Sequence, residues 1–153
     1  MNPRALLRRA IPAILVAGAA IALIAPPSSA TSLSHGRLLA TSLSGAEEVP
    51  ANASTGRGFA VVKVDARKAR VCYAVAVTRL SSTVVASHIH KALKGVNGPI
   101  VVNFDPPVDG FSAACVAVDP ALATDIAANP SGYYVNVHTE TVRSGEVRGQ
   151  LGR

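Results

Sequence analysis

Three histidines are the residues of this sequence whose type and spacing are best suited to chemistry. His88 and His90 are separated by one residue, and His138 lies far downstream. On a β-strand, side chains at i and i+2 point to the same face, with Cα atoms roughly 6.5 to 7 Å apart. Two imidazoles at that spacing reach one ion, and a third from a neighbouring strand completes a set that copper or zinc accepts. The pattern therefore predicts a three-histidine metal site, with copper as the first choice and zinc as the second.

A purely structural role for these histidines stays open at the level of sequence. An imidazole beside the Asn97-Gly98 turn can donate to a loop carbonyl and accept from a backbone N–H, which satisfies both nitrogens. A metal site also needs groups that fix the second nitrogen of each ring, and Asn136 and Glu140 are the candidates. Convergence of all three rings favours the metal site. A histidine that points away favours a module that binds only a partner.

No residue constellation predicts a catalytic nucleophile, so we expect a protein that is not an enzyme. Ser87 precedes His88, but neighbouring residues of a strand face opposite ways, which rules out a direct Ser–His dyad. The same argument separates the two carboxylates of Glu47 and Glu48, for which we expect a solvated loop.

The terminal segment predicts a further pair of charged residues. Glu146 and Arg148 share one face of the strand that we expect at residues 146–151. We expect an exposed ion pair there, which contributes only a few tenths of a kcal/mol.

The first thirty residues have the composition of a cleaved secretory signal. Three arginines and no acid precede an apolar run at residues 10–25, and Ser28-Ser29-Ala30 provides small residues for cleavage after Ala30. That run is shorter than the roughly 20 residues that span a bilayer. We therefore expect a secreted protein, extracellular or periplasmic, without a membrane span after cleavage. Residues 31–37 then form a flexible N-terminus, and residues 38–152 form one domain.

Charge and cysteine content narrow the class of protein further. The chain has 15 basic and 9 acidic residues, and removal of the signal leaves 12 basic residues without a clustered basic face. That composition argues against a nucleic-acid partner. An exported protein with two cysteines favours a disulfide between Cys72 and Cys115 over two free buried thiols.

Short alternating segments, separated by turns rich in Gly, Pro, Asn and Asp, recur about every ten residues. This pattern predicts an all-β fold, an antiparallel Greek-key-like β-sandwich of about eight strands. The one predicted helix spans Asp119 to Asn129, with Asp119 as N-cap and Pro120 in the first turn.

Several separated motifs follow one another along the chain: LSGAEEVP at 43–50, HIH at 88–90 followed by GVNGP at 95–99, and YYVNVHT and GEVRGQL at 133–139 and 145–151. Together they resemble the CHRD (chordin-type) domain, which occurs alone in many secreted microbial proteins. The resemblance covers residues 38–151 and implies a non-enzymatic extracellular binding module. In chordin such domains belong to a protein that binds secreted growth factors. For a lone domain, the resemblance implies an undefined extracellular protein or glycan partner.

The histidine pattern is also similar to the copper half of Cu/Zn superoxide dismutases, which are antiparallel Greek-key sandwiches with a disulfide. That resemblance implies copper ligation by His88, His90 and His138. The sequence departs from the enzyme pattern because it has no histidine between His90 and His138 to bridge two metals, and no His/Asp cluster for zinc. The alternative function is therefore binding of copper or zinc, and superoxide-dismutase-like activity is a less favoured extension of that alternative.

Overall fold

The computed structural model describes residues 36–152, whose eight strands form one antiparallel sheet. The strands are β1 (Arg37–Ser44), β2 (Arg57–Asp65), β3 (Arg70–Thr78), β4 (Val84–Lys91), β5 (Ile100–Phe104), β6 (Phe111–Ala117), β7 (Tyr133–Thr139) and β8 (Val147–Gln150). One α-helix, α1 (Pro120–Ala128), precedes β7, and three single 3-10 turns lie at Gly45–Glu47, Ala66–Lys68 and Pro130–Gly132. The predicted antiparallel all-β class with one short helix is confirmed.

The strand order in the sheet is β5-β4-β7-β8-β1-β2-β3-β6. Strands β1 to β3 form a meander, the chain then crosses to β4, and β6 returns to pair with β3. The edge strands β5 and β6 face each other across a groove of about 410 Å³ that residues 101–103 and 116–119 line. The rolled sheet is therefore nearly a barrel, and the groove separates its two edges.

Alternation along the strands sorts the side chains into an enclosed core and an outer face. Val71, Tyr73 and Val75 of β3 are buried in the core, as the period-two pattern predicts. In β4 and β7 the core positions are Ile89, Val135 and Val137. The alternate positions of these two strands therefore face outward, and they include all three histidines of the predicted site.

Two features fix the side of the sheet away from β4. Cys72 and Cys115 face each other in the β3–β6 pair and form a disulfide, which confirms the predicted bridge. The helix α1 begins after Asp119, whose side chain accepts hydrogen bonds from the backbone N–H groups of residues 121 and 122. Ile126 of α1 is fully buried against the core, so the helix covers one end of the sheet.

The predicted signal segment, residues 1–30, and most of the predicted flexible N-terminus lie outside the described residues. Export and cleavage after Ala30 therefore stay predictions. Across residues 36–152, no helix is both long enough and apolar enough to cross a membrane.

Candidate metal centre

Strand register brings the three histidines together on the outer face of β4 and β7. The facing pairs between these strands are Ala86 with His138, His88 with Asn136, and His90 with Tyr134. His138 is thus diagonal to His88, and its direct neighbour on β4 is the small Ala86. The spacing of the histidines along β4 and the register with β7 together create one cluster, as the His-x-His pattern predicts.

The ring nitrogens of the cluster converge. One nitrogen from each of His88, His90 and His138 lies within 4.8 Å of the other two. His88 Nδ1 and His138 Nε2 are 3.2 Å apart. Two nitrogen ligands at about 2.0 to 2.1 Å from one ion lie about 2.9 to 3.4 Å apart when adjacent and about 4.2 Å apart when opposite. The ring nitrogens therefore need to move by less than about 1 Å for all three to coordinate a single ion.

His90 has one nitrogen fixed and the other without a partner. Its Nδ1 lies 2.8 Å from the carbonyl oxygen of Gly98, which only accepts, so Nδ1 carries the proton. Its Nε2 is buried, with no hydrogen-bond partner among the described residues. A structural histidine at this turn was expected to satisfy both nitrogens, and His90 satisfies only one.

The tautomer of His138 is fixed in the same way. Its Nδ1 lies 2.9 Å from the carbonyl oxygen of Arg143 and donates to it. Its Nε2 then offers a lone pair toward His88 Nδ1 and lies 3.0 Å from Oδ1 of Asn136. Carbonyl-fixed rings whose free lone pairs share one direction are the arrangement that metal-ligating histidines adopt.

Burial keeps two of the three rings, His88 and His138, in the neutral form that a metal requires. It lowers the pKa of His88 to about 4, with smaller contributions from the neighbouring rings of His138 and His90. Burial also lowers the pKa of His138, against an opposing effect of its hydrogen bond to Arg143. Both rings are therefore neutral at pH 7, and their lone pairs are available for coordination.

A stack of side chains supports His90 from the side of β8. The rings of His90 and Tyr134 are nearly parallel, with centroids 4.8 Å apart. The guanidinium carbon of Arg148 lies 3.3 Å from the centroid of the Tyr134 ring. Because β7 lies between β4 and β8, the tyrosine ring separates the imidazole from the guanidinium. The stack fixes the plane of the His90 ring.

Arg148 also holds the β4–β5 loop, which contains the carbonyl acceptor of His90. The guanidinium is 1% exposed and donates to Val96 O at 2.7 Å and to Asn97 Oδ1 at 3.1 Å. The backbone N–H of Gly98 donates to the Tyr134 hydroxyl at 3.3 Å. The loop conformation and the orientation of the His90 ring are therefore coupled through shared partners.

Three carboxylate and guanidinium groups that we expected in solvent are buried. Glu48 is 6% exposed, its Oε1 has no partner within the described part of the chain, and burial raises its pKa to about 7 against the opposing charge of Arg148. Glu146 is fully buried, and its carboxylate accepts from Ser54, Ser81 and Thr139. The prediction of a solvated Glu48 and of an exposed Glu146–Arg148 pair is wrong. Loops cover this outer face, and strand alternation does not reveal that cover.

The groups at the second ring nitrogens are main-chain carbonyls, of Gly98 for His90 and Arg143 for His138. Asn136, a sequence candidate for this role, faces Nε2 of His138 instead. The other candidate, Glu140, is exposed, and across residues 36–152 no hydrogen bond joins its side chain to an imidazole. Carbonyls carry no side-chain signal, so the only sequence trace of the Gly98 acceptor is the Gly-rich turn that follows the His-x-His pair.

Comparison with known protein families gives a match over most of the described residues. The model of the CHRD domain family matches residues 39–151 of the 153-residue chain. No curated protein and no solved structure matches the chain. The matched span contains all three histidines and both cysteines.

Proposed function

The chain belongs to the CHRD domain family, and from that premise we propose that it is a binding module whose ligand is a copper ion. The ligands are Nδ1 of His88 and Nε2 of both His90 and His138. Zinc is the second choice for the same site. The observation that carries the proposal is the buried Nε2 of His90, which has no partner among residues 36–152, on one of three histidines whose ring nitrogens converge.

The cost of that unpartnered nitrogen supports a ligand. A buried polar atom that makes no hydrogen bond costs about 1 to 3 kcal/mol, so folded proteins rarely retain one without a role. Gly98 fixes the proton of His90 on Nδ1, and Nε2 is left with only a lone pair. A cation between the three rings satisfies this lone pair together with those of His88 and His138.

The donor set favours copper among the divalent ions of the first transition row. Imidazole nitrogen suits copper and zinc, and for a given nitrogen site Cu²⁺ binds most tightly in the Irving–Williams order. The three converging residues include no carboxylate, which magnesium, calcium or manganese would prefer.

Calorimetric titration of the purified protein with Cu(II) and, separately, Zn(II) at pH 7 tests the proposal. We expect one ion per chain, with tighter binding for copper, and loss of the site in a His90→Ala variant. The matched control is His35→Ala, which removes the one histidine of the sequence outside the described residues and is expected to keep full binding. Binding that His90→Ala retains at wild-type affinity would sink the three-histidine site.

Location and activity form the second part of the proposal. The disulfide supports an oxidising compartment, which agrees with an extracellular or periplasmic site of action. We expect the protein to bind copper without catalysing the dismutation of superoxide. Its rate of superoxide consumption, measured with chelator present to remove free copper, should match that of the metal-free protein. A protein or glycan partner stays a prediction.

A further inference from the structure

We infer that Asn136 is a fourth ligand, which coordinates the ion held by the three histidines through its amide oxygen Oδ1. The inference rests on the proposed copper site and goes beyond it, because it assigns three nitrogens and one oxygen to the coordination sphere. It also gives Asn136 a direct role at the metal, distinct from the orientation of a histidine ring.

Asn136 occupies the position on β7 that faces the cluster most directly. It pairs in register with His88 and lies between Tyr134 and His138 on the same strand face. Its side chain is 3% exposed, and its Oδ1 lies 3.0 Å from Nε2 of His138. That nitrogen is the one that also faces His88 Nδ1, so the amide and both rings border a common space.

With the amide oxygen toward His138, this contact needs a third participant. His138 carries its proton on Nδ1, where it donates to Arg143, so its Nε2 presents only a lone pair. An amide oxygen also presents only lone pairs, and the two atoms repel unless a cation lies between them. The distances fit that cation. Separations of 3.0 and 3.2 Å from Nε2 both fall within the roughly 2.9 to 3.4 Å expected for adjacent donors on one ion.

A competing arrangement makes the opposite prediction. If the amide is turned so that its nitrogen donates to Nε2 of His138, Asn136 occupies the lone pair that the ion needs. Removal of the side chain then strengthens metal binding. If Oδ1 is a ligand, removal of the side chain weakens binding and opens a position for water.

An oxygen donor also affects the oxidation state that the site prefers. Carbonyl oxygen is a hard ligand that suits Cu(II), whereas softer donors suit Cu(I). Loss of Asn136 should therefore weaken Cu(II) binding more than Cu(I) binding. A merely structural asparagine would affect both ions alike through the fold.

The test compares Asn136→Ala with Asn103→Ala as its matched control. Asn103 is exposed and lies on β5, where it pairs with His88 from the side of β4 opposite to Asn136. We expect Asn136→Ala to weaken Cu(II) binding at least about tenfold. Competition with a Cu(I) chelator should show a smaller effect for Cu(I). Pulsed electron paramagnetic resonance in D₂O should detect a new copper-bound water in this variant, and Asn103→Ala should behave as wild type.

The Asn136→Asp variant keeps an oxygen at the same position and protects the test if the alanine variant does not fold. We expect it to bind Cu(II) at least as tightly as wild type, with altered copper spectra because a carboxylate replaces an amide. Unchanged or tighter Cu(II) binding in Asn136→Ala, or wild-type spectra in Asn136→Asp, overturns the inference. A wild-type protein that binds no copper overturns the proposed function itself, and the two failures are therefore distinguishable.

Discussion

At the scale of single residues, the guanidinium of Arg148 and the carboxyl group of Glu48 are buried close to each other. The guanidinium of Arg148 donates to the loop carbonyl of Val96 and to Asn97, and it stacks on the face of Tyr134. Glu48 lies close enough to Arg148 for the guanidinium to oppose the rise in its pKa, but within the described residues its buried Oε1 makes no hydrogen bond. The protonation state of the Glu48 carboxylate therefore changes near neutral pH.

Replacement of Glu48 by glutamine should remove a pH dependence from the stability of the protein. Burial raises the pKa of Glu48 from 4.5 to about 7, so the folded state holds this proton more tightly than the unfolded state. The stabilising contribution is complete below pH 4.5 and is lost as the pH rises through 7, by up to about 3 kcal/mol. The lowered pKa values of His88 and His138 act in the opposite direction in both proteins, so the quantity to compare is the free energy of unfolding of wild type minus that of Glu48→Gln. Urea denaturation should show this difference falling between pH 5 and pH 8.

The control for that experiment is Glu47→Gln. Glu47 is the adjacent carboxylate and forms a surface ion pair with Lys94 at 2.9 Å. Its loss should change stability by less than about 1 kcal/mol and leave the pH dependence intact. If the free energy of unfolding changes with pH in the same way in wild type and in Glu48→Gln, Glu48 is not the source of the pH dependence.

Arg148→Lys should damage both the fold and the metal site although it conserves charge. Lysine lacks the planar fork that donates to Val96 and Asn97 at once, and it stacks poorly on Tyr134. We expect a loss of about 3 kcal/mol in the free energy of unfolding and weaker copper binding, because the loop that orients His90 loosens. Chemical denaturation and copper titration measure the two effects.

Arg143→Lys is the matched control for this substitution. Arg143 is exposed and contacts the site through its main-chain carbonyl, which the substitution preserves. Stability and copper affinity should both stay at wild-type values. An Arg148→Lys protein with wild-type stability would show that the buried stack contributes little.

At the scale of elements, the β4–β5 loop approaches β4 so closely that only glycine fits at position 98. A Cβ atom on Gly98 would lie 2.0 Å from the carbonyl oxygen of Lys91, so Gly98→Ala must push the loop away from the strand. We expect a loss of more than about 2 kcal/mol in stability. The Gly98 carbonyl also moves away from His90, which should weaken copper binding by about tenfold or more.

Gly132→Ala is the control at this scale, because a Cβ atom there meets no atom within 4 Å. Thermal melting and copper titration of both variants separate the close approach at Gly98 from a general effect of glycine replacement. Wild-type copper affinity in Gly98→Ala would contradict the role of the loop carbonyl.

The elements were predictable from sequence to the extent that alternation determines them. Val71, Tyr73 and Val75 alternate with small residues, so the sequence places these three on one face of β3, and the structure shows that this face is the buried one. The His-x-His spacing likewise placed His88 and His90 on one face. The alternation of side chains along a strand shows which residues share a face of the sheet, but it does not show whether loops cover that face. The burial of Glu48 and Arg148 depends on loops whose path the sequence pattern leaves open.

At the scale of the whole molecule, the disulfide and the three-histidine cluster lie in different parts of the sheet. Cys72–Cys115 fixes the edge strand β6 to β3, and β2, β1 and β8 separate this pair from β7 and β4. The bridge joins residues 43 positions apart. Replacement of both cysteines by alanine should therefore lower the free energy of unfolding by about 4 kcal/mol in the chain-entropy model. Urea denaturation of the double variant measures this loss, and a loss below about 1 kcal/mol would contradict it.

Zinc, which does not change oxidation state, allows the two contributions to be tested for independence. Zinc at one hundred times its dissociation constant should stabilise the folded protein by about 2.7 kcal/mol, which corresponds to roughly 10 °C in melting temperature for a domain of this size. The increment should be the same in the double cysteine variant, because sites that share no contacts contribute additively. His90→Ala should show no increment with or without the disulfide. A zinc increment that disappears with the disulfide would mean that the edge strand β6 and the metal centre are coupled through the rolled sheet, and that the site forms only when the sheet is held nearly closed.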